Sequence, residues 1–375
     1  MHSPWVVSAC SVLLLSLPLS AQQPTTDDAF LRGYVTAVLA RDFALDANGL
    51  TVRDGAVSYV DRDLGRLERQ QLMAALRAIA GVRTVTFVPA TSANAGGAEA
   101  HAADVPGSDD LTVFLTSGRL FEPLLADPRW PHFFASWHRY TDDGDNAPGS
   151  EPLTQVGAVG FGETIAIVRQ RRANGLRWEA GVQAGVFAIF DLDSRSKDLV
   201  NADYTIGPYV AARYRDTSLR LRVYHQSSHL GDEYLLREGI GAAGRVNLSY
   251  EAVEVLASQE LPFGARAYGG AGYLIDTEPR GLEPWIAQYG AEWRSPWTLV
   301  GDGTVRPVLA ADLQQREQND WGTDYSVRAG LLFEQPGHFH QRLAVLLEFY
   351  DGRSPNGQFY TDRIQYVGVG LHFYF

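Results

Sequence analysis

From residue 131 onward, apolar and polar side chains alternate over long stretches of the chain. Trp178, Ala180, Val182, Ala184, Val186, Ala188 and Phe190 share one parity, and Arg177, Glu179 and Gln183 take the other. Tyr204, Ile206, Val210, Ala212 and Tyr214 oppose Asp203, Thr205 and Arg213 in the same way. Trp285 to Trp293, Tyr325 to Phe333, Leu343 to Phe349 and Val367 to Phe375 repeat it. A period of two is that of a β-strand with one apolar face. The pattern predicts twelve strands, near 132–140, 155–170, 176–191, 202–214, 218–227, 244–258, 264–275, 284–294, 305–317, 323–334, 342–350 and 364–375. Soluble sandwich strands run nearer five or six residues, whereas strands of about ten with aromatic ends fit a tilted crossing of a bilayer. The expected fold is therefore an all-β transmembrane barrel of about twelve antiparallel strands.

The first part of the chain follows other rules. Residues 1–21 read as a signal peptide, with an apolar run from Val6 to Leu19 and small residues at Leu19-Ser20-Ala21. After Ala21 no run of 18 apolar residues occurs, so a spanning helix is excluded and a membrane protein must close as a barrel. Residues 28–89 predict a small α/β domain of order αββαβ. Its first helix spans Phe30 to Phe43, with Phe30, Tyr34, Val38 and Leu45 near one face. A hairpin turns at Asp54-Gly55, a second helix carries Leu72, Leu76 and Ile79, and a last strand covers Val82 to Val88. Residues 90–130 form a linker rich in Ala, Gly, Ser and Asp, then a connector expected at the periplasmic rim.

Charge and cysteine narrow the function. A net charge of −12 argues against nucleic acid, because little could neutralise a row of phosphates. The single cysteine, Cys10, lies in the leader, so disulfides, thiolate metal sites and cysteine nucleophiles are excluded from the mature chain. An even strand number puts both barrel ends on one side. The short turns 171–175, 215–217 and 261–263 then face the periplasm, and the longer loops 142–152, 191–201, 228–244 and 351–362 face outward. The location expected is the bacterial outer membrane, with outer-membrane lipid as neighbour and envelope components met through the N-terminal domain.

The candidate chemistry sits in His225-Gln226-Ser227-Ser228-His229-Leu230-Gly231-Asp232-Glu233. Leu219, Leu221 and Val223 are the lipid-facing set, and the same parity carries His225 and Ser227 outward. An imidazole beside a hydroxyl can deprotonate it for attack on an ester, and Asp232, Glu233 or Glu238 could orient the ring. The bland alternative is an interfacial polar belt, with Asp232 and Glu233 binding calcium or capping a turn. Asn247 falls inward by parity. Arg177, Glu179, Arg220, Arg222, Arg245, Glu251, Asp312 and Arg328 are expected inside, where they could pair and occlude the lumen. His132 and His138 flank Trp137 and read as interface residues rather than metal ligands, and His338 and His340 fall in a turn without acidic partners. Asp142-Asp143-Gly144-Asp145-Asn146 is oxygen-rich but lacks the terminal glutamate of a calcium loop.

Three resemblances attach to these residues. Val52-Arg53-Asp54-Gly55-Ala56-Val57, with Glu68-Arg69-Gln70 and Gly81-Val82-Arg83-Thr84-Val85, resembles the BON domain of periplasmic proteins, which implies phospholipid or protein partners of the envelope. His225-Gln226-Ser227 resembles the His-x-Ser element of the outer-membrane phospholipase A and the lipid A 3-O-deacylase. That implies an outer-wall His and Ser facing acyl chains, and for the phospholipase a calcium requirement. Those families place Asn after the Ser and a third member about a dozen residues on, where Glu238 is nearest; here Ser228 follows instead. Phe187 to Asp191 and the His225 to Glu233 run resemble an uncharacterised family of outer-membrane barrels, which implies no activity. Two functions follow: an acyl-ester hydrolase acting on outer-leaflet lipid, or a non-enzymatic envelope barrel, anchor or narrow pore, tethered by its BON-like domain.

Overall fold

A computed structural model describes residues 27–61, 64–89, 111–116, 118–142, 153–172, 174–236, 246, 248–300, 305–334 and 342–375. The signal segment, the linker 90–110, Asp143 to Asn146, Glu238, Arg245, Asn247, His338 and His340 lie outside them.

The N-terminal part has the predicted order: α1 (Asp28–Phe43), β1 (Thr51–Arg53), β2 (Ala56–Asp61), α2 (Arg66–Arg77) and β3 (Thr84–Pro89). The Asp27 side chain caps α1 by accepting from Ala29 N–H. Asp54 and Gly55 both take positive φ in the hairpin turn, where the Asp28 carboxylate accepts their N–H groups at 2.7 and 3.1 Å. The helix face differs from the expected one. Leu31, Val35, Leu39 and Phe43 enter the core, whereas Phe30 and Tyr34 are exposed. The two stripes lie one residue apart, and the packed sheet selects the aliphatic one.

All twelve predicted long strands form. They are β5 (Phe133–Asp142), β6 (Gln155–Arg171), β7 (Arg177–Asp191), β8 (Leu199–Tyr214), β9 (Thr217–Leu230) and β10 (Ser249–Glu260). Then come β11 (Ala265–Glu278), β12 (Trp285–Arg294), β13 (Val305–Arg316), β14 (Thr323–Glu334), β15 (Arg342–Arg353) and β16 (Arg363–Tyr374). Each pairs antiparallel with the next, and β16 pairs with β5, so the sheet closes as a twelve-strand barrel. A short strand β4 (Leu111–Phe114) adds to the end of β6. The parity holds: Trp178, Tyr204, Trp285, Tyr325, Leu347 and Phe373 lie on the outer side, opposite buried Glu179, Asp203, Gln288, Ser326, Glu348 and His372. Every long strand is paired on both sides, although β6 lacks a ladder partner over 161–166 between β5 and β4, and the outer wall is apolar, the architecture of outer-membrane barrels.

The α/β domain docks at the end with the short turns, called the near end. Arg66 N–H donates to Asp216 Oδ1 at 2.6 Å, and the Arg66 guanidinium pairs with the same carboxylate at 3.1 Å. Arg171 meets Asp46 at 2.8 Å, and buried Arg177 pairs with buried Glu68. Gly65 lies so close to the β8–β9 turn that a Cβ would come 2.4 Å from the Arg215 carbonyl oxygen.

The connector does not sit at the rim. Residues 118–131 enter the lumen, and Leu120, Phe121, Leu124, Leu125, Ala126 and Trp130 are buried there. The loop is re-entrant: Leu120 meets Glu179 and Arg213 near the docked domain, Pro128 lines a cavity together with Pro355 of a far-end loop, and His132 is back beside Tyr374. Its backbone makes no ladder because barrel side chains take that place. Arg213 Nε donates to Leu120 O at 2.7 Å, Arg266 to Glu122 O and Pro123 O at 2.9 and 3.0 Å, and Arg328 to Leu125 O at 2.8 Å. Leu120 N–H and Leu125 N–H donate to Glu179 and Glu292 at 3.1 and 2.6 Å. Glu122 joins all three parts: it accepts from Arg342 at 2.6 Å, pairs with Arg294 at 3.5 Å and meets Gln71 of α2 at 3.4 Å. Guanidinium-rich walls and carbonyl-rich loop neutralise one another, which sequence parity could not reveal for an aperiodic segment.

Glu122→Ala should leave Arg342 and Arg294 buried without this carboxylate, at a cost of about 3–5 kcal/mol. Urea unfolding of the detergent-folded protein measures it, and an unchanged midpoint would count against the interlock. In planar bilayers the intact protein should show no porin-sized conductance, and deletion of residues 118–131 should open one; large steps from the intact chain would refute the plug as a seal.

Candidate outer-wall site

Strand β9 changes character along its outer face. Leu219, Leu221 and Val223 face outward, opposite Ala257, Val255 and Val253 of β10. The next outward rungs are polar: His225 faces Glu251, and Ser227 faces Ser249. On the β8 side Ile206 is the partner of His225, and Tyr204 that of Ser227. Tyr204 also meets the ring of outward-facing His229 edge-on, with centroids 5.7 Å apart. The polar group therefore sits at the far-end margin of an apolar belt, where an acyl chain and its ester linkage would part company.

His225 Nδ1 lies 2.8 Å from Glu251 Oε1. A carboxylate at Nδ1 favours the tautomer with its proton on that nitrogen, leaving the Nε2 lone pair as base. Ser227 is the next same-face residue, about 6.8 Å along the strand by β geometry, within the combined reach of the two side chains. Among the described residues no hydrogen bond joins Ser227 to His225. Catalytic hydrogen bonds of this kind often tighten only when substrate is bound. Ser249 stands diagonally across and is the second hydroxyl within range.

Of the acids expected beside His225, Glu238 lies outside the described residues. Asp232 and Glu233 open a one-turn helix, α3 (Asp232–Leu235), and are exposed, with no hydrogen bond or ion pair to His225 among the described residues. Among those residues no group of three or more His, Cys, Asp or Glu side chains is arranged to hold a metal ion. Glu251 was expected in the lumen, and this is a correction: it points outward onto His225. The sequence of β10 hides its parity, since Tyr250, Ala252 and Leu256 are apolar on one face and Val253, Val255 and Ala257 on the other. Only the cross-strand register puts Glu251 opposite His225.

His132 and His138 are also corrected, from interface to interior. Both are buried and belong to an inner-wall network centred on Glu348. His138 Nε2 and His372 Nε2 lie 2.6 and 2.5 Å from its two oxygens, Ser136 donates at 3.2 Å, and Arg328 stands 3.5 Å away. His372 Nδ1 continues to His132 Nε2 at 2.8 Å, and His132 Nδ1 faces Trp130 O at 2.6 Å. Since Trp130 O only accepts, His132 Nδ1 donates to it. The chain of bonds ties the plug's exit to the first and last strands, where the barrel closes.

Comparison with known proteins adds a family. A family described as "Protein of unknown function (DUF1207)" matches residues 42–375. No curated protein matches by sequence. Among solved structures, the chain is similar to the outer membrane phospholipase A of Escherichia coli at 13% identity, covering 65% of this chain and 92% of that one, with a TM-score of 0.43. The calcium-bound Salmonella typhi phospholipase dimer is similar at 13% identity, over 66% and 93% of the two chains, with a TM-score of 0.43. The β domain of the Bordetella autotransporter BrkA is similar at 18% identity, over 65% and 99%, with a TM-score of 0.33.

Glu348→Ala should remove the carboxylate that Arg328, His138 and His372 share at the closing seam and destabilise the barrel by about 3–5 kcal/mol. Heat-dependent mobility of the folded band on a semi-native gel reads the effect. A melting midpoint equal to that of the unaltered protein would show that the network adds nothing.

Proposed function

Because the chain belongs to the DUF1207 family, whose function is unknown, we propose its activity from its own side chains: hydrolysis of acyl esters of outer-leaflet lipid. The observation that carries this is the His225–Glu251 pair on the apolar outer wall, two residues along the strand from the hydroxyl of Ser227. Ser227 Oγ attacks the acyl carbonyl carbon while His225 Nε2 takes its proton. The imidazolium, steadied by Glu251, then protonates the departing alkoxide. Water repeats the cycle on the acyl-enzyme and releases the fatty acid. Glu251 replaces Asp232, Glu233 and Glu238 as the acid of the proposal.

The orientation follows from loop length. The short turns and the docked α/β domain belong to the periplasmic end, so the polar rungs fall at the outer leaflet. On that placement the N-terminal domain meets other envelope components in the periplasm, with the exposed Phe30 and Tyr34 as its most apolar surface on α1. The alternative function, a non-enzymatic envelope barrel, keeps its anchor form; the filled lumen speaks against its pore form.

Purified protein in mixed micelles should release fatty acid from phospholipid or lipopolysaccharide, assayed by mass spectrometry with and without added calcium. Ser227→Ala and His225→Ala should each lower the rate by about 100- to 10,000-fold, and Glu251→Gln by at least about tenfold. Full activity in Ser227→Ala would remove the nucleophile, and loss in Ser249→Ala alone would transfer the role to the neighbouring strand. No release from either lipid class would leave the envelope-anchor function standing instead.

A further inference from the structure

The lumen above the plug is a cup that opens at the far end, away from the docked domain. Its space is about 1200 Å³, counting the part open to solvent at the mouth. The plug closes its floor with Asp127, Arg129 and Trp130. Five arginines line it, and two of them have carboxylate partners: Arg129 pairs with Asp203 at 2.9 Å, and Arg220 with Glu254. The other three, Arg222, Arg316 and Arg353, form no ion pair among the described residues.

Arg222 is the informative one. It is 8% exposed and lies against the ring of Tyr224, 3.8 Å from its centroid. Its side-chain hydrogen bond goes to the neutral amide of Gln183, and its Nε has no partner. Arg316 reaches only the amide oxygen of Gln314, at 3.4 Å, and Arg353 only the Thr361 carbonyl. A buried guanidinium without a carboxylate is costly, and elsewhere in this barrel arginines are answered by acids or by plug carbonyls. The acids near the cup are already engaged or lie at its mouth. Glu254 is held by Arg220, Asp324 faces Arg316 and accepts the Arg353 N–H at 2.7 Å, Asp127 is engaged by the Arg129 N–H at 2.8 Å and by Gln314 at 3.5 Å, and Glu283 is exposed at the mouth.

We propose that this cup binds a small organic polyanion, its carboxylate or phosphate oxygens held by Arg222, Arg316 and Arg353 and its body resting on Tyr224 and Tyr250. Planar guanidiniums match both oxyanions in paired hydrogen bonds. The plug makes it a dead end, so the ligand is bound rather than passed through. The proposal is independent of ester hydrolysis, because the cup faces the lumen and Ser227 faces lipid.

Citrate and inorganic pyrophosphate serve as probes in calorimetric titrations of the full chain in neutral detergent, with glucose as the uncharged control. The expected result is saturable one-to-one binding of citrate or pyrophosphate, no binding of glucose, and at least a tenfold loss of affinity in Arg222→Gln and Arg316→Gln. The stronger of the two probes identifies the oxyanion as carboxylate or phosphate. Arg353→Gln, at an exposed position, tests the same site without threatening the fold and should also weaken binding. Ser227→Ala should bind as the unaltered protein does. The proposal is overturned if neither anion binds, or if affinity is unchanged in arginine variants that keep the heat-dependent gel shift of the folded barrel.

Discussion

The constraint on which the structure rests is that guanidinium groups enclosed in a narrow barrel must each find an anion or an oriented carbonyl. Twelve strands bring Arg169, Arg177, Arg213, Arg266, Arg328 and Arg342 to the inner wall, all nearly fully buried. The wall's own acids answer some of them, as Glu179 does for Arg169 and Glu292 for Arg266. The rest are met by the re-entrant loop and by Glu68 of the docked domain. The plug thus completes the electrostatics of the barrel, and its apolar residues complete the packing. Leu120, Phe121 and Leu124 meet Tyr209, Leu256 and Tyr268, while Leu125 and Ala126 meet Val308, Leu332 and Leu346.

Much of the fold was legible in the sequence because an apolar outer wall imposes a period of two over strands longer than those of a soluble sandwich. Trp178 to Phe190 and Val367 to Phe375 each carry one clean parity, and from it inside and outside follow. The order of the N-terminal elements was legible too, through Asp54-Gly55 and the Leu72–Leu76 stripe. The plug was not. Residues 118–131 satisfy their backbone through side chains from distant strands, so no local period marks them.

The candidate site divides along the same line. His225 and Ser227 share a strand, and alternation alone faces them outward. Glu251 comes from the neighbouring strand, and its placement depends on a register that a long far-end connection leaves unspecified. Strand β10 is apolar on both faces over much of its length, so its parity had to come from the ladder. Arg220 and Arg222 of the cup were legible as inward charges, but only three-dimensional pairing distinguishes Arg220, matched by Glu254, from Arg222, which is not.

Both legs of the plug lie at the same end of the barrel, since Leu120 and His132 are at the near end and Pro128 is at the tip. Topologically the loop is a cork and not a thread. Nothing needs to pass through the ring of strands, so β16 can meet β5 before or after the loop is seated. Membrane insertion and lumen filling are therefore separable events in the biogenesis of this protein, and the second needs no bond in the wall to reopen.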